Sequence, residues 1–213
     1  MIILKSKYIK RWKGKDGKWN YLYPKPSDRG TGSEQRLVPK VISNYTEFTK
    51  TEFGYLDSAL TSDETDSMGR YTTSGYEMNK DLRSGKENYY ANDIKGAFKK
   101  IKPLSEDIRL FRGLSVTNDF LDQLKSSEYI TDKAFTSLTS DPGSALSFFT
   151  KAARGENEQK IILRVDIPKG SKVLDMQNPI EKEFLLNTGS KFKMGKIQKS
   201  KDNKFYIMDV TYE

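Results

Sequence analysis

Neither cysteine nor histidine occurs in the chain. Without thiols there is no disulfide framework, no thiolate metal site and no cysteine nucleophile. Without imidazole there is no serine–histidine–aspartate machinery and no histidine ligand. Any chemistry must run on carboxylates, hydroxyls, lysine, arginine and tyrosine, a repertoire that suits transfer at an activated sugar carbon. Also missing is a run approaching about 18 apolar residues, and a charged-then-apolar start with a small-residue cleavage site. A membrane span and a secretory signal are therefore not expected, and the cytoplasm is the expected setting. The acids do not cluster in a loop pattern suited to a hard cation, so no metal is expected. No internal repeat occurs, and the isolated Lys-Gly and Gly-Lys pairs lack the spacing of a phosphate loop.

Positive charge is what the chain has in excess. Lys and Arg number 37 against 29 Asp and Glu, for a formal net charge of +8 and a pI near 9.3. That balance favours attraction to nucleic acid or to acidic protein surfaces. A length of 213 residues allows one ordinary domain, or one domain with an appended segment. Between Lys5 and Lys25, eight Lys or Arg and the single acid Asp16 are interleaved with Tyr8, Trp12, Trp19, Tyr21 and Tyr23. Centred on Gly14-Lys15-Asp16-Gly17, this reads as a basic, aromatic hairpin, because Asp-Gly is a strong turn signal and aromatic residues favour strands. Pro24 to Gly32 reads as a linker. The expected organisation is an extension over 1–40 and a domain over 41–213.

From about Asn44 to Ile101 the pattern is helical. Phe48, Phe53, Tyr55, Leu56 and Leu60 recur at helical spacings, as do Ile94, Phe98 and Ile101 after Asn88. The Gly69 to Tyr76 segment is expected to break these helices and to cap a short one from Tyr76 to Arg83. After Pro103 short strands dominate, predicted at Asp107 to Arg112, Lys133 to Ser137, Lys160 to Ile167, Lys172 to Met176, Glu183 to Leu186, Lys191 to Ile197 and Lys204 to Tyr212. Helical patches at Asn118 to Lys125 and Ser144 to Ala153 interrupt them. Helices first and strands later is the order of an α+β domain.

Three local constellations could carry chemistry. In Ile108-Arg109-Leu110-Phe111-Arg112-Gly113, a two-residue period places Arg112 on the face of Ile108 and Leu110, so its guanidinium is aimed inward and needs an anionic partner. A pyrophosphate matches a guanidinium fork, although an ordinary salt bridge would also serve. In Phe135-Thr136-Ser137-Leu138-Thr139-Ser140-Asp141-Pro142, Ser137 and Thr139 share a side, where two hydroxyls could orient a carboxylate or a ribose, or simply provide helix-entry chemistry. In Glu181-Lys182-Glu183-Phe184-Leu185-Leu186, two carboxylates enter one cleft or one solvated edge. If a cleft, repulsion and desolvation would divide their roles.

The order and spacing of the three, with Ile-Leu-Arg-Val-Asp-Ile-Pro-Lys-Gly between the second and third, resembles the Arg, Ser-Thr-Ser, Glu-x-Glu branch of the mono-ADP-ribosyltransferase family, which includes toxin-type exoenzymes. The resemblance covers roughly Asn44 to Glu213 and includes Tyr71 to Arg83, which looks like the helical stretch preceding the Arg strand. The usual Ser-Thr-Ser stands here as Ser137-Leu138-Thr139, which keeps the first hydroxyl and alters the support around it. The basic extension loosely resembles segments of phage head-associated proteins, which implies a phage or mobile-element origin and a host-cell cytoplasm.

The resemblance implies helices followed by a core of two packed, mostly antiparallel sheets. It implies NAD as substrate, held by Arg112, with Gly113 permitting its approach and Tyr71, Asn79 and Thr139 lining the pocket. It implies that Ser137 positions Glu183, that Glu183 stabilises the sugar as nicotinamide departs, and that Glu181 faces the acceptor, for which a protein arginine is expected. A monomer is expected, and a nucleic-acid partner could be reached through the extension. Two other readings stand beside this one: a nucleic-acid-binding or virion-associated protein with a weakly active transferase fold, and an NAD glycohydrolase.

Overall fold

A computed structural model of the protein describes residues 10–13, 19–22, 60–152, 158–176, 178 and 181–213. Strands β1 (Lys10–Lys13) and β2 (Trp19–Leu22) pair antiparallel, with Lys13 opposite Trp19, on either side of the expected turn. The Pro24 to Gly32 linker and the helical periodicity from Phe48 to Leu56 lie outside the described residues.

Helix α1 (Ser62–Arg83) opens on a capping box. The Glu64 amide donates to Thr61 Oγ1 at 3.2 Å, and the Thr61 amide donates to Glu64 Oε2 at 2.7 Å, satisfying two of the donors a helix start leaves free. The expected break over Gly69 to Tyr76 narrows to one residue, Ser74, at φ −136° and ψ 17°. Burial of Met68 and Tyr71 holds the first arm helical, while the Thr72 and Thr73 hydroxyls donate to helix carbonyls one turn back. Tyr76 to Arg83 is the second arm. Helix α2 (Tyr89–Lys99) starts at Asn88, whose Oδ1 accepts from the Ala91 amide, and buries Ala91, Ile94, Ala97 and Phe98 at one-face spacing.

There follow β3 (Ile108–Val116), α3 (Asn118–Ser126), β4 (Tyr129–Asp132), β5 (Thr136–Thr139), α4 (Pro142–Ala152), β6 (Gln159–Ile167), β7 (Leu174–Asp175), β8 (Glu183–Leu186), β9 (Ser190–Lys199) and β10 (Tyr206–Tyr212). Of the strand expected at Lys133 to Ser137, only Thr136 and Ser137 lie in a strand, β5, while Lys133 to Phe135 form the connection from β4. Phe135 explains the gap. It is fully buried beneath α1 and α2, edge-on to Tyr71 and stacked on Phe98, and its amide donates to Asn79 Oδ1 at 3.2 Å, which takes the backbone out of the ladder.

The hydrogen-bonded order is β4-β9-β10-β6-β3-β5-β8-β7, antiparallel throughout except for the parallel pair β10–β6. Nine register pairs join β3 to β6, but only Phe111–Thr139 joins β3 to β5. The array therefore parts into two lobes at that junction. One apolar cluster, with Leu110, Leu114, Val165 and Val210 from the larger lobe and Leu138, Phe184 and Leu186 from the smaller, fills the space between them. These are the two packed, mostly antiparallel sheets of the expected α+β architecture. Helices α1 and α2 cover the other side of the smaller lobe at Leu174 and Leu185, and α4 covers the larger at Phe111, Ile162 and Ile207. A β-carbon on Gly113 would lie 1.9 Å from the Ala145 carbonyl oxygen, so α4 rests directly on the backbone of β3.

Candidate active site

Strand alternation decides which side chains meet where the lobes part. On β8, Phe184 and Leu186 point into the inter-lobe core, so Leu185 and Glu183 face the helix layer. Ser137 lies opposite Leu185 in the β5–β8 ladder and faces the same way. Arg112 follows Ile108 and Leu110 on the inward face of β3, as its spacing predicts, and Arg109 on the opposite face is engaged by Asp166. A cleft collects these groups. Its walls are Tyr71, Thr72, Gly75, Tyr76, Asn79 and Arg83 from α1, with Arg112, Ser137, Phe148, Glu181 and Glu183 opposite.

Glu183 is 8% exposed and accepts a short hydrogen bond from the Ser137 hydroxyl at Oε1. Burial pushes its carboxyl up to about 7, against the lowering effect of Ser137; the negative charge of Glu181 adds to the rise and Arg112 opposes it. The two carboxylates do enter one cleft, and their environments differ. Glu181 is only half-buried. Its Oε2 accepts from Asn178 Nδ2 at 3.3 Å, its amide donates to Asn178 Oδ1 at 3.2 Å, and its carbonyl accepts the Thr139 hydroxyl at 2.7 Å. Between them Lys182 adopts φ 46°, a left-handed conformation that costs a non-glycine residue about 1 kcal/mol or more. Bonds from the Lys182 amide to the Asn178 carbonyl and from the Ser140 amide to the Lys182 carbonyl hold it there.

Arg112 is 8% exposed, and its Nε has no hydrogen-bond partner among the described residues. Burial lowers its affinity for the proton, while the negative charges of Asp132 and Glu183 help retain it. Tyr71 is buried with its hydroxyl accepting from Asn79 Nδ2 at 2.8 Å; burial, and then the charge of Glu183, keep the phenol protonated. Asn79 thus ties α1 to Phe135 on one side and Tyr71 on the other while lining the cleft.

Two expected residues sit differently from their assigned places. Thr139 is not among the cleft walls: its hydroxyl lies between the Glu181 carbonyl and the Asp141 amide, bracing the loop that carries Glu181. Gly113 makes room for α4. Conversely, Thr72, Tyr76, Arg83 and Phe148 line the cleft without having been named as site residues. Thr72, Tyr76, Asn79 and Arg83 follow one another at four-, three- and four-residue steps, a single helical stripe that the sequence did carry. Asp132, which holds Arg83 through two hydrogen bonds, carried no comparable signal.

The family described as ADP-ribosyltransferase exoenzyme matches residues 45–212. No curated protein matches the chain. Among solved structures, the Vis toxin, an ADP-ribosyltransferase from Vibrio splendidus, aligns at a TM-score of 0.58 and 19% identity over 77% of this chain and 79% of its own. Vis in complex with agmatine aligns at 0.61 and 18%, over 76% and 78%. The C3 exoenzyme of Clostridium limosum gives 0.58 and 21%, over 72% and 86%. C3stau2 from S. aureus with NAD gives 0.56 and 18%, over 72% and 87%. At these identities the likeness is one of fold.

Proposed function

The chain belongs to the ADP-ribosyltransferase exoenzyme family, and from that premise we propose that it uses NAD as substrate to place one ADP-ribose on a protein arginine. The observation that carries this reading is the cleft that holds both a buried Arg112 with an unpartnered Nε and a buried Glu183 gripped by Ser137. A buried guanidinium nitrogen without an acceptor is costly, and a pyrophosphate oxygen satisfies both its hydrogen bond and its charge. NAD brings that pyrophosphate and an electrophilic ribose carbon in one molecule, and C3stau2 from S. aureus, of the same fold, has been solved with NAD.

The transfer breaks the bond between the nicotinamide nitrogen and ribose C1′, with the electron pair leaving on nicotinamide. It forms a bond from a guanidinium nitrogen to C1′, and the displaced proton passes to a base. Arg112 holds the phosphates, and the α1 stripe of Thr72, Tyr76, Asn79 and Arg83 flanks them. Ser137 fixes one oxygen of Glu183. The ionised Glu183 accepts a hydrogen bond from a ribose hydroxyl and opposes the positive charge that grows on the sugar, as carboxylates do in glycoside cleavage. Glu181, more exposed and braced by Asn178 and Thr139, suits the acceptor: a carboxylate can grip a guanidinium with two bonds and take its proton. Agmatine, found with the Vis toxin, presents the same guanidinium group.

The test is transfer of label from adenylate-labelled NAD onto a bacterial lysate by wild type and Glu183→Ala, with the product split between protease and nuclease. Label that needs Glu183 and is lost to protease supports the reading. Label lost to nuclease would move the acceptor to nucleic acid. Cleavage of NAD without label would leave a glycohydrolase, and neither binding nor cleavage would refute the transferase.

A further inference from the structure

Arg83 and Arg112 both reach the cleft, yet among the described residues no carboxylate of the cleft wall pairs with Arg83. Its partner is Asp132, at the end of β4 and outside the wall. Arg83 Nε and Nη2 donate to the two Asp132 oxygens at 2.9 and 2.8 Å, a bidentate contact spanning 49 positions of sequence. Asp132 is itself fixed. One of its oxygens accepts from the Ala134 amide at 3.1 Å, the other from the Thr136 hydroxyl at 3.4 Å, and its carbonyl accepts from the Gly189 amide at 2.9 Å.

We propose that Asp132 is a positioning residue for dinucleotide binding, which holds the Arg83 guanidinium toward the cleft so that Arg83 and Arg112 form a preset pair of cations for the pyrophosphate. The proposal rests on the NAD reading above. A guanidinium has five N–H donors in a rigid plane. Two point at Asp132, so three remain, and the fixed plane dictates where they lie. A free arginine side chain would have to lose its rotamer freedom when the ligand arrives; one already clamped does not.

Charge supports the same conclusion. The charge of Arg83 disfavours the cation of buried Arg112, and the charge of Asp132 favours it. Burial would raise the Asp132 carboxyl, but the hydrogen bond from Arg83 and the charge of Arg112 outweigh it and hold the group below its ordinary range. Asp132 is therefore ionised wherever the enzyme is folded near neutrality. Arg83 is 36% exposed, so solvent screens its side of the pair and limits what the pair adds to stability. Its geometry toward the cleft is the consequence that matters.

The experiment compares wild type, Asp132→Asn, Arg83→Gln and the double variant by equilibrium binding of NAD and by the NAD dependence of nicotinamide release. Asparagine keeps an oxygen for the Ala134 amide while deleting the charge and one arm of the fork. Expected is a rise of about ten-fold in Kd and KM for NAD in Asp132→Asn and a larger one in Arg83→Gln, which loses the cation itself, with kcat little changed in Asp132→Asn. The double variant should lose no more than Arg83→Gln alone, because without the arginine Asp132 has nothing to position. A merely structural role would instead lower thermal stability and the active fraction with KM unmoved. Unchanged NAD affinity in Asp132→Asn, or losses that add in the double variant, would overturn the proposal. Should Asp132→Asn not fold, Arg83→Lys keeps the cation without the fork and is expected to show the same loss of affinity, and unaltered affinity there overturns it equally. Wild type that binds no NAD would remove the reading beneath it and the proposal together.

Discussion

Replacing Glu183 by glutamine is expected to stabilise the protein, and to do so chiefly at neutral and alkaline pH. In the fold, burial raises the Glu183 carboxyl from 4.5 to about 7, against the hydrogen bond from Ser137 and with further upward pressure from Glu181. Between those values the unfolded chain has released the proton while the folded chain retains it. Stability contributed by this group therefore falls as pH rises from about 4.5, and the whole cost is present above about 7. At about 1.4 kcal/mol for each pH unit between the two values, the full cost is about 3 kcal/mol, of which under about 1 kcal/mol has accrued at pH 5. Glutamine has nearly the same shape and does not ionise. Its new contacts with Ser137 and Arg112 do not depend on pH, so they cancel when two pH values are compared. The gain of Glu183→Gln over wild type should be larger at pH 8 than at pH 5 by about 2 to 3 kcal/mol. Denaturant unfolding of both proteins at both pH values measures it. An equal effect at the two pH values, or a greater loss at pH 8, would show that Glu183 ionises in the fold without cost and would refute the burial argument.

On the proposed mechanism, in which the ionised carboxylate is the working form, the same titration should appear in activity with the opposite sign: NAD cleavage should rise with pH through about 7. Ser137→Ala removes the bond that favours the carboxylate, so its profile should move to higher pH; an unmoved profile would mean that Ser137 does not hold Glu183 in solution. Glu181→Ala should leave nicotinamide release measurable while transfer to arginine falls, and equal loss of both would end the division of labour between the two carboxylates. Gly113→Ala places a methyl 1.9 Å from the Ala145 carbonyl oxygen. It should cost about 3 kcal/mol or more, read as a fall in Tm, whereas a stable variant with impaired NAD binding would return Gly113 to the ligand.

Part of the candidate site was legible in the chain because it lies on strands, where a period of two converts spacing into facing. Arg112 inward and Arg109 outward were readable from that rule alone, whereas Glu181 lies in the turn before β8 and only the fold brings it into one cleft with Glu183. Local signals also marked the helix starts: Asn88 caps α2, and the Asp141 carboxylate accepts from the Gly143 and Ser144 amides at the head of α4. The rule failed where a long-range contact overrode it. Phe135 reads as part of a strand, but packing against Tyr71 and Phe98 removes it from the ladder. Thr139 reads as a partner of Ser137, but the loop before β8 lies close enough to take its hydroxyl.

The sequence by itself determined the chemistry available to this protein: no thiol, no imidazole, an inward arginine, a serine and a pair of carboxylates, in an order that marks the family. Residue identities and short-range periodicity suffice for that. Tertiary structure alone decided what each group experiences. Burial outweighs the Ser137 bond and pushes the carboxyl of Glu183 up to about 7, Gly113 lets a helix rest on its strand, and Asp132 clamps an arginine 49 positions away. Those outcomes depend on desolvation and on contacts between distant segments, which exist only once the lobes have closed on each other.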